Sequence, residues 1–320
     1  GAPLVFTYHT MYEEYLERHG VTADVIKRFI EEYPIEYANM CDHVIAPSES
    51  VKEEIVGRGL KRPCSVIPTG VPLHEFDTSS NDDSRARFGI PPEAYVIGHL
   101  GRISSEKNVK PLARQAARFM KDTPHTHMLL AGDGPEVSTV EKVFRDFRVE
   151  DRYHYAGEVK GDDVTAAYHA MDVFLFTSLT ETQGIVLAEA MAAGLPVIAV
   201  DARGVRDIVQ DKVNGRLIEE AGEMRFALWW HNTLSDGETK KLIENARETA
   251  EEYSVESSVD AVLAVYQRVI DQNKTRLKRG DRWLRAVEGY LKAEFALFGG
   301  FASALARSVL KLDGNGGARD

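Results

Sequence analysis

The stretch VFLFTSLTETQGIVLAEAMAAGLPVIAV, residues 173–200, decides the fold. It opens on an apolar run at residues 173–177 and closes on a second apolar run at residues 196–200. Between these runs, residues 184–193 are small residues and apolar helix formers, and Gly194 ends that pattern. A strand, a helix and a second strand in this order form the unit from which parallel sheets are built.

The same alternation of short apolar runs and helical patterns extends along the chain. The apolar runs predict nine strands, at residues 4–9, 43–46, 65–68, 95–101, 127–131, 152–156, 173–177, 196–200 and 216–218. The patterns between them predict helices near residues 24–40, 48–59, 108–121, 135–148, 162–170, 184–193, 204–210, 222–234 and 238–252. We therefore expect an α/β fold with parallel sheets covered on both faces, and ligands bound beyond the carboxyl ends of the strands.

Composition limits the classes of protein to consider. The net charge of −11 argues against a general nucleic-acid binder, which would carry a basic surplus. Cys41 and Cys64 form no CxxC pair and lack zinc-binding spacing, so a reducing, cytoplasmic compartment is predicted. The sequence contains neither an apolar run of about 18 residues nor a signal peptide. The apolar start at residues 4–9 predicts that the chain begins partway through a domain.

A change in composition predicts a domain boundary. Residues 69–84 are rich in Thr, Ser, Asp, Asn and Pro, which is typical of an interdomain connection. A new series of strands and helices begins near Tyr95, and the pattern after residue 254 is purely helical. We expect the chain to divide into residues 1–70, 71–254 and 255–320.

Three loops that follow predicted strands carry groups suited to phosphate. GHLGRISSEKN, residues 98–108, places Arg102 and Lys107 between a strand and a helix, and both cations suit phosphate oxygens. AGDGPE, residues 131–136, is a glycine-rich turn that leads into another helix. Residues 182–184 enter a third helix, whose unpaired N–H groups and positive dipole end attract anions. The alternative for each loop alone is a solvated charge or a simple turn.

Two carboxylates bracket the start of that third helix. Glu189 lies about five residues inside a helix that begins near Gly184, roughly 7–8 Å along its axis, whereas Glu181 stays on the preceding loop. A diphosphate at the helix end would have a sugar on one side and a ribose on the other, and a carboxylate can accept hydrogen bonds from vicinal hydroxyls. The two glutamates would then hold the two ends of one nucleotide sugar. The alternative is that both are helix-end or ion-pairing acids.

These motifs resemble the retaining GT-B glycosyltransferases of glycosyltransferase family four. The matching segments are Gly101-Arg102…Glu106-Lys107-Asn108, Gly132-Asp133-Gly134-Pro135, Tyr155-Ala156-Gly157-Glu158-Val159 and Glu181-Thr182-Gln183-Gly184…Glu189-Ala190…Gly194-Leu195-Pro196-Val197. VIPTGVPLHEF also resembles the family's linker, and the likeness runs through residues 3–270. It implies two Rossmann-like domains: an incomplete acceptor-binding domain at residues 1–70 and a donor domain at residues 71–254. The C-terminal helices would cross back to the first domain.

The resemblance also implies roles for single residues. Arg102 and Lys107 would hold the diphosphate. Glu189 would hold the ribose and Glu181 the donor sugar, while the segment Glu158-Val159 would meet the nucleobase largely through its backbone. Further donor contacts are implied at Gly101, Thr182, Gln183, Gly184 and Ile185.

His9 follows the first predicted strand, in FTYHT, residues 6–10. A histidine alone is more often structural, but this position matches the family histidine that faces the donor sugar across the cleft. The resemblance implies a catalytic site of His9, Glu181, Arg102 and Lys107, in which the two cations stabilise the leaving phosphate and that phosphate helps to deprotonate the acceptor. We expect no metal and no cofactor, because no acidic metal-binding motif such as DxD lies at a matching position, and the NDD stretch at residues 81–83 lies in the predicted linker.

The acceptor is indicated by two short motifs. ETQG and TYHT resemble the branch of the family that glycosylates lipids such as diacylglycerol, where many other branches carry Phe in place of Gln183. We expect transfer of a hexose from a UDP-sugar to such a lipid. A soluble or polysaccharide acceptor is the alternative, as is an inactive nucleotide-sugar-binding fragment, because the family's first strand and glycine-rich loop have no counterpart here.

A basic amphipathic stretch follows the predicted domains. Residues 274–292 hold seven basic residues and two acidic ones, with Trp283, Leu284, Val287 and Leu291 at helical spacing. This pattern predicts either peripheral contact of residues 274–311 with the inner face of a membrane or packing against the first domain.

Overall fold

The computed structural model describes residues 2–9, 24–76 and 84–277. The chain divides into two compact units, one formed by Gly1–Pro68 with Val259–Asp320 and the other by Thr69–Ser258. Each unit contains a parallel sheet, which confirms the α/β class.

All nine predicted strands are present, each with ends within two residues of those expected. They are β1 (Val5–Thr7), β2 (His43–Ala46), β3 (Cys64–Val66), β4 (Tyr95–Leu100), β5 (Thr126–Ala131), β6 (Tyr153–Gly157), β7 (Val173–Phe176), β8 (Val197–Val200) and β9 (Gly215–Ile218). The described helices are α1 (Asp24–Met40), α2 (Glu49–Gly57), α3 (Ser84–Arg87), α4 (Val109–Asp122), α5 (Val137–Phe147), α6 (Asp162–His169), α7 (Ile185–Ala192), α8 (Met224–Asn232), α9 (Asp236–Glu252) and α10 (Val255–Leu277).

The order of the strands places a crevice in the second sheet. The first sheet has the order β1-β2-β3 and the second has the order β6-β5-β4-β7-β8-β9, with parallel pairing throughout. In the second sheet the chain runs outward from β4 to β6 and then returns to β7 on the other side of β4. The loops after β4 and β7 therefore leave the sheet side by side, at the kind of switch point where open α/β sheets bind ligands.

Burial explains why the second sheet forms. Every residue of β7 and β8 is buried, because helices cover both faces of the sheet. On α4, Val109, Leu112, Ala113 and Ala116 recur at helical spacing and are buried, which fixes that helix against the sheet. The loop before α4 is thus held at a defined position.

Helix α10 belongs to the first unit from Val259 onward. Val265 and Val269 are buried and pack with Ile45 of β2 and with Ile67. Residues 278–311, which include most of the basic stretch, lie outside the described residues. Among residues 2–9, 24–76 and 84–277, no helix combines the length and apolar character needed to cross a bilayer.

The helix predicted near residues 204–210 is wrong, since the chain forms consecutive turns there. Val205 and Ile208 are buried at a spacing that imitates a helical face. Gly204, however, has φ +73°, and its Cα faces the backbone of the loop before α7, where a Cβ would lie 2.9 Å from the Glu181 carbonyl oxygen. A left-handed residue against a neighbouring backbone interrupts the helix.

Candidate functional site

The loop after β4 carries the two predicted phosphate-binding cations. Gly101 and Arg102 follow the strand, and Lys107 ends a 3-10 turn, Ser105–Lys107, just before α4. The Arg102 side chain is 69% exposed, and its Nε lies 3.9 Å from Glu106 Oε1. This guanidinium is therefore open to a ligand at the carboxyl end of the sheet.

The glycine-rich turn after β5 supports that loop. The Ile103 amide donates to the Asp133 carbonyl at 2.9 Å, and the Glu136 amide donates to the Ile103 carbonyl at 3.0 Å. A side chain at Gly132 would overlap the Gly101 carbonyl, and one at Gly134 would overlap the Ile103 carbonyl. The glycines of AGDGPE are thus explained by the close approach of two loops, with no contact to a ligand required.

Lys107 and Glu181 meet where the loops after β4 and β7 converge. Lys107 Nζ lies 2.5 Å from Glu181 Oε1, and the two side chains are 27% and 15% exposed. The group predicted to hold the diphosphate and the group predicted to hold the donor sugar therefore lie at one place. A partly buried ammonium and carboxylate at this distance form a charge-assisted hydrogen bond.

The helix after Glu181 begins as the sequence predicts. Gly184, with φ +73°, is the N-cap of α7, and Ile185 is the first helical residue. Thr182 lies on the loop before it. Helix α7 follows β7, which lies parallel to β4, so its first N–H groups and its positive dipole end lie at the same edge of the sheet as the Lys107 loop.

The side-chain amide of Gln183 makes two hydrogen bonds to the backbone of its own unit. Its Oε1 accepts from the Thr69 amide at 2.7 Å, and its Nε2 donates to the Thr69 carbonyl at 3.0 Å. The side chain is buried. This paired contact anchors the segment at residue 69 to the loop that carries Glu181, and a direct donor contact of the Gln183 amide remains a prediction.

Glu189 lies on the second turn of α7 and is held by a buried tyrosine. Tyr168 of α6 donates its hydroxyl to Glu189 Oε2 at 2.8 Å. Burial raises the pKa of Glu189, and the nearby carboxylate of Glu75 adds to this rise, whereas the Tyr168 hydrogen bond opposes it. One carboxylate oxygen is thus fixed by the protein, and the carboxylate retains further acceptor capacity for a ligand hydroxyl.

The segment predicted to meet the nucleobase borders a cavity. Glu158 and Val159 follow β6, and Glu158 Oε2 lies 3.2 Å from Lys160 Nζ at the surface. A cavity of about 500 Å³ is lined by both residues together with Phe88 and Tyr155. This space is large enough for part of a nucleotide, and the assignment of the nucleobase to it remains a prediction.

His99 of β4 is a residue that the sequence patterns did not single out. Its Nδ1 lies 2.9 Å from the Leu175 carbonyl, so this nitrogen carries the proton. The ring stacks on Phe174, and burial lowers the pKa of His99 to about 4. A Cβ on Gly101 would lie 3.8 Å from His99 Nε2, which places a neutral imidazole beneath the Arg102 loop. An apolar strand pattern gave no signal for this contact.

His9 lies two residues beyond β1 in the first unit and is exposed. Its predicted catalytic role is not tested by its position in that unit and remains a prediction. In the described part of the chain, no cluster of three or more His, Cys, Asp or Glu side chains could hold a metal ion.

Two regions of the chain match known protein families. Residues 80–249 match Glycosyl transferases group 1, and residues 1–75 match Glycosyltransferase Family 4. The first match covers more than half of the chain. The chain belongs to the group 1 glycosyl transferases. The family predicted from the sequence motifs is therefore confirmed.

Relatives of this glycosyl transferase include lipid glucosyltransferases. It is 29% identical to an alpha-monoglucosyldiacylglycerol synthase from Streptococcus pneumoniae, over 67% of the chain and 50% of the relative. It is 27% identical to the enzyme of the same name from Acholeplasma laidlawii, over 87% of the chain and 72% of the relative. The sulfoquinovosyl transferase SQD2 of Arabidopsis thaliana is 29% identical over 79% of the chain and 49% of its own length. The chain thus spans about half the length of two of these relatives.

A solved structure shows the same architecture. HepE from Anabaena, in complex with UDP, superposes with a TM-score of 0.70 and 25% identity, over 83% of this chain and 72% of that chain. This likeness confirms the predicted GT-B fold class.

Proposed function

We propose that this protein transfers a hexose from a UDP-sugar to a lipid acceptor such as diacylglycerol, with retention of the anomeric configuration. The observation that carries the proposal is the contact of Lys107 Nζ with Glu181 Oε1 at 2.5 Å. It brings the cation that we propose for the phosphates and the carboxylate that we propose for the sugar hydroxyls together at the switch point of the sheet, close to the start of α7. A sugar diphosphate requires these two chemistries side by side.

The leaving group would be stabilised by positive charge from the protein. In this proposal Arg102, Lys107 and the N-terminal end of α7 balance the charge that develops on the departing nucleoside diphosphate. Glu181 holds hydroxyls of the transferred sugar in this proposal, and His9 keeps the catalytic role that the family resemblance implies. The leaving phosphate helps to remove the acceptor proton. The donor itself carries the transferred group, so the proposal assigns no cofactor and no metal.

The ribose would lie along α7 at Glu189. The fixed hydrogen bond from Tyr168 orients this carboxylate, which leaves it able to accept from ribose hydroxyls. Glu158 and Val159 would then contact the nucleobase beside the cavity after β6. The UDP that the Anabaena structure holds supports uracil as the base. The second unit, residues 69–258, is the donor domain in this proposal, and the first unit binds the acceptor.

A lipid acceptor is supported by two relatives, both of them alpha-monoglucosyldiacylglycerol synthases. A soluble acceptor is the second candidate, because a D-inositol 3-phosphate glycosyltransferase from Mycolicibacterium smegmatis is 28% identical over 87% of this chain. The two candidates differ in whether the acceptor partitions into a membrane.

Peripheral attachment to the inner face of a membrane would serve a lipid acceptor. The basic stretch at residues 274–292 supports it through attraction to anionic headgroups. Sedimentation with anionic vesicles should show binding that falls as salt rises, because the attraction is screened. Binding that ignores lipid charge would contradict this part of the proposal.

A transfer assay tests the function directly. The protein is incubated with radiolabelled UDP-glucose, UDP-galactose or GDP-mannose and with either diacylglycerol in mixed micelles or inositol phosphate. We expect label in the lipid fraction with a UDP-sugar, and an α-linked product from an α-linked donor by proton NMR. A β-linked product would overturn retention, and label only in the soluble fraction would favour the second acceptor.

A further inference from the structure

Thr177 joins the two loops that carry Lys107 and Glu181. It follows β7 directly, is fully buried, and lies four residues before Glu181. Its hydroxyl lies 3.1 Å from the Lys107 carbonyl and 3.0 Å from the Asn108 carbonyl. Because carbonyls only accept, the hydroxyl donates its single proton to this pair of oxygens in a shared hydrogen bond.

The segment that receives this bond is a junction between two helical elements. Asn108, with φ +56°, follows the 3-10 turn Ser105–Lys107 and is the N-cap of α4. The Asn108 side chain makes no capping hydrogen bond to α4, and Ser104 makes none to the 3-10 turn. The Thr177 hydroxyl is therefore a side-chain contact that fixes the backbone of this junction from a neighbouring strand.

A second link between the same loops is the ion pair of Lys107 with Glu181. The proposed function uses both of these charged groups for the donor, so their mutual contact opens when the donor binds. The Thr177 contact uses neither charged group. It can persist through that exchange and hold the turn in place while Lys107 moves from a carboxylate to a diphosphate.

We propose that Thr177 is a positioning residue of the donor site. It holds the Lys107 turn at a fixed position beside the Glu181 loop. Diphosphate binding therefore does not have to supply the free energy needed to order that turn. This inference rests on the proposed function, because it assigns the Lys107 turn to the diphosphate. In the simpler interpretation, these hydrogen bonds only satisfy the buried hydroxyl of Thr177. Removal of the hydroxyl would then lower stability and leave nucleotide affinity unchanged.

Matched variants separate the two interpretations. Thr177→Val removes the hydroxyl at nearly constant shape, Thr177→Ser keeps it, and Thr177→Ala removes it with a smaller side chain in case the valine is not accommodated. Thr126→Val is the control, because Thr126 is also fully buried and its hydroxyl donates to Thr123 Oγ1 at 2.9 Å. Thr126 is the first residue of β5, so it lies at the amino ends of the strands, whereas Thr177 lies at their carboxyl ends.

The measurements are calorimetric affinity for UDP and GDP and the midpoint of thermal unfolding. Thr177→Val or Thr177→Ala should weaken binding of the preferred nucleotide by about fivefold to tenfold, the effect of one lost hydrogen bond. Thr177→Ser should recover most of that loss. Thr126→Val should lower the unfolding midpoint to a similar degree and leave the affinity at the wild-type value.

Two outcomes would overturn the inference. Equal nucleotide affinity in wild type and in the Thr177→Val and Thr177→Ala variants would leave only the stability role, and so would an equal loss of affinity in Thr126→Val. A wild-type protein that binds neither UDP nor GDP would instead remove the proposed function, and the inference with it.

Discussion

Lys107 Nζ and Glu181 Oε1 lie 2.5 Å apart, although the two residues belong to loops that follow different strands. β4 and β7 are neighbours in the sheet, which brings these loops together. Under the proposed roles, a diphosphate that binds Lys107 would have to draw its ammonium away from Glu181. A sugar hydroxyl that binds Glu181 would likewise compete with Lys107 for that carboxylate.

The first prediction concerns Lys107. Lys107→Ala should weaken UDP binding by about 1.5–3 kcal/mol, the range for hydrogen bonds to charged groups. Isothermal titration calorimetry measures the change. Lys52→Ala is a matched control, because Lys52 also pairs with a glutamate, Glu49 Oε2 at 3.0 Å, but belongs to the first unit. Equal affinities in wild type and Lys107→Ala would remove Lys107 from the phosphate site.

The second prediction concerns Arg102, whose side chain is exposed and 3.9 Å from Glu106. Arg102→Ala should leave the thermal unfolding midpoint nearly unchanged, because an exposed ion pair contributes little to stability. UDP affinity should fall, and the fall should be larger at low salt than at high salt. An affinity that is unchanged at low salt would show that this guanidinium does not contact the ligand.

The third prediction is a pH dependence caused by Glu189. Its pKa is raised, first by burial and then by Glu75, so it takes up a proton at a higher pH than an ordinary glutamate. A protonated carboxyl is a poorer acceptor for ribose hydroxyls. UDP affinity should therefore fall as the pH drops through this raised pKa, and Glu189→Gln should bind more weakly at neutral pH without that dependence.

The stability of the protein should also depend on pH through the raised pKa of Glu189. A carboxyl whose pKa is raised by folding binds its proton more tightly in the folded state, so its contribution is favourable at low pH and is lost as the pH rises. Glu189→Gln should therefore be more stable than wild type near neutral pH, and this difference should vanish in acid. A variant that is less stable at neutral pH would contradict the burial cost assigned to this charge.

The fourth prediction uses two glycines with the same backbone conformation. Gly204 has φ +73° and Gly89 has φ +67°, so alanine is strained at both positions. A Cβ at Gly89 has open space, whereas one at Gly204 would lie 2.9 Å from the Glu181 carbonyl. Gly89→Ala should cost about 1 kcal/mol of unfolding free energy and leave UDP-sugar affinity intact.

Gly204→Ala should cost more and should also weaken UDP-sugar binding, because the loop carrying Glu181 must shift. Chemical denaturation and calorimetry measure the two effects. Equal effects of the two alanines on stability and on affinity would show that the contact with the Glu181 loop is unimportant.

The sequence was sufficient for most of the fold, for a physical reason. Strands of a covered parallel sheet are short, apolar on both faces and bounded by polar loops, so β7 and β8 are visible as uninterrupted apolar runs. The pattern at residues 204–210 predicts a helix because Val205 and Ile208 follow helical spacing, whereas the chain forms turns there. That spacing reports burial, and it contains no information about the neighbouring backbone that excludes a helix.

Part of the candidate site could likewise be predicted from the sequence, and part could not. Arg102, Lys107 and Glu181 could be placed at one sheet edge because each follows a strand of a parallel sheet. The contact of Lys107 with Glu181, the hydrogen bond of Tyr168 to Glu189 and the pairing of Gln183 with Thr69 depend on packing between distant segments. Such contacts leave no periodic signal in a single sequence.

In the proposed donor site, Glu189 and Glu181 hold the two ends of one nucleotide sugar. The direct measurement is the affinity of wild type, Glu189→Gln and Glu181→Gln for UDP and for UDP-glucose. Glu189→Gln should weaken both ligands by a similar factor, because both contain the ribose. Glu181→Gln should leave UDP binding intact or slightly tighter, since Lys107 is released, and should weaken only UDP-glucose. Loss of UDP binding in Glu181→Gln but not in Glu189→Gln would show the donor reversed along α7, and unchanged affinities in both would contradict the claim.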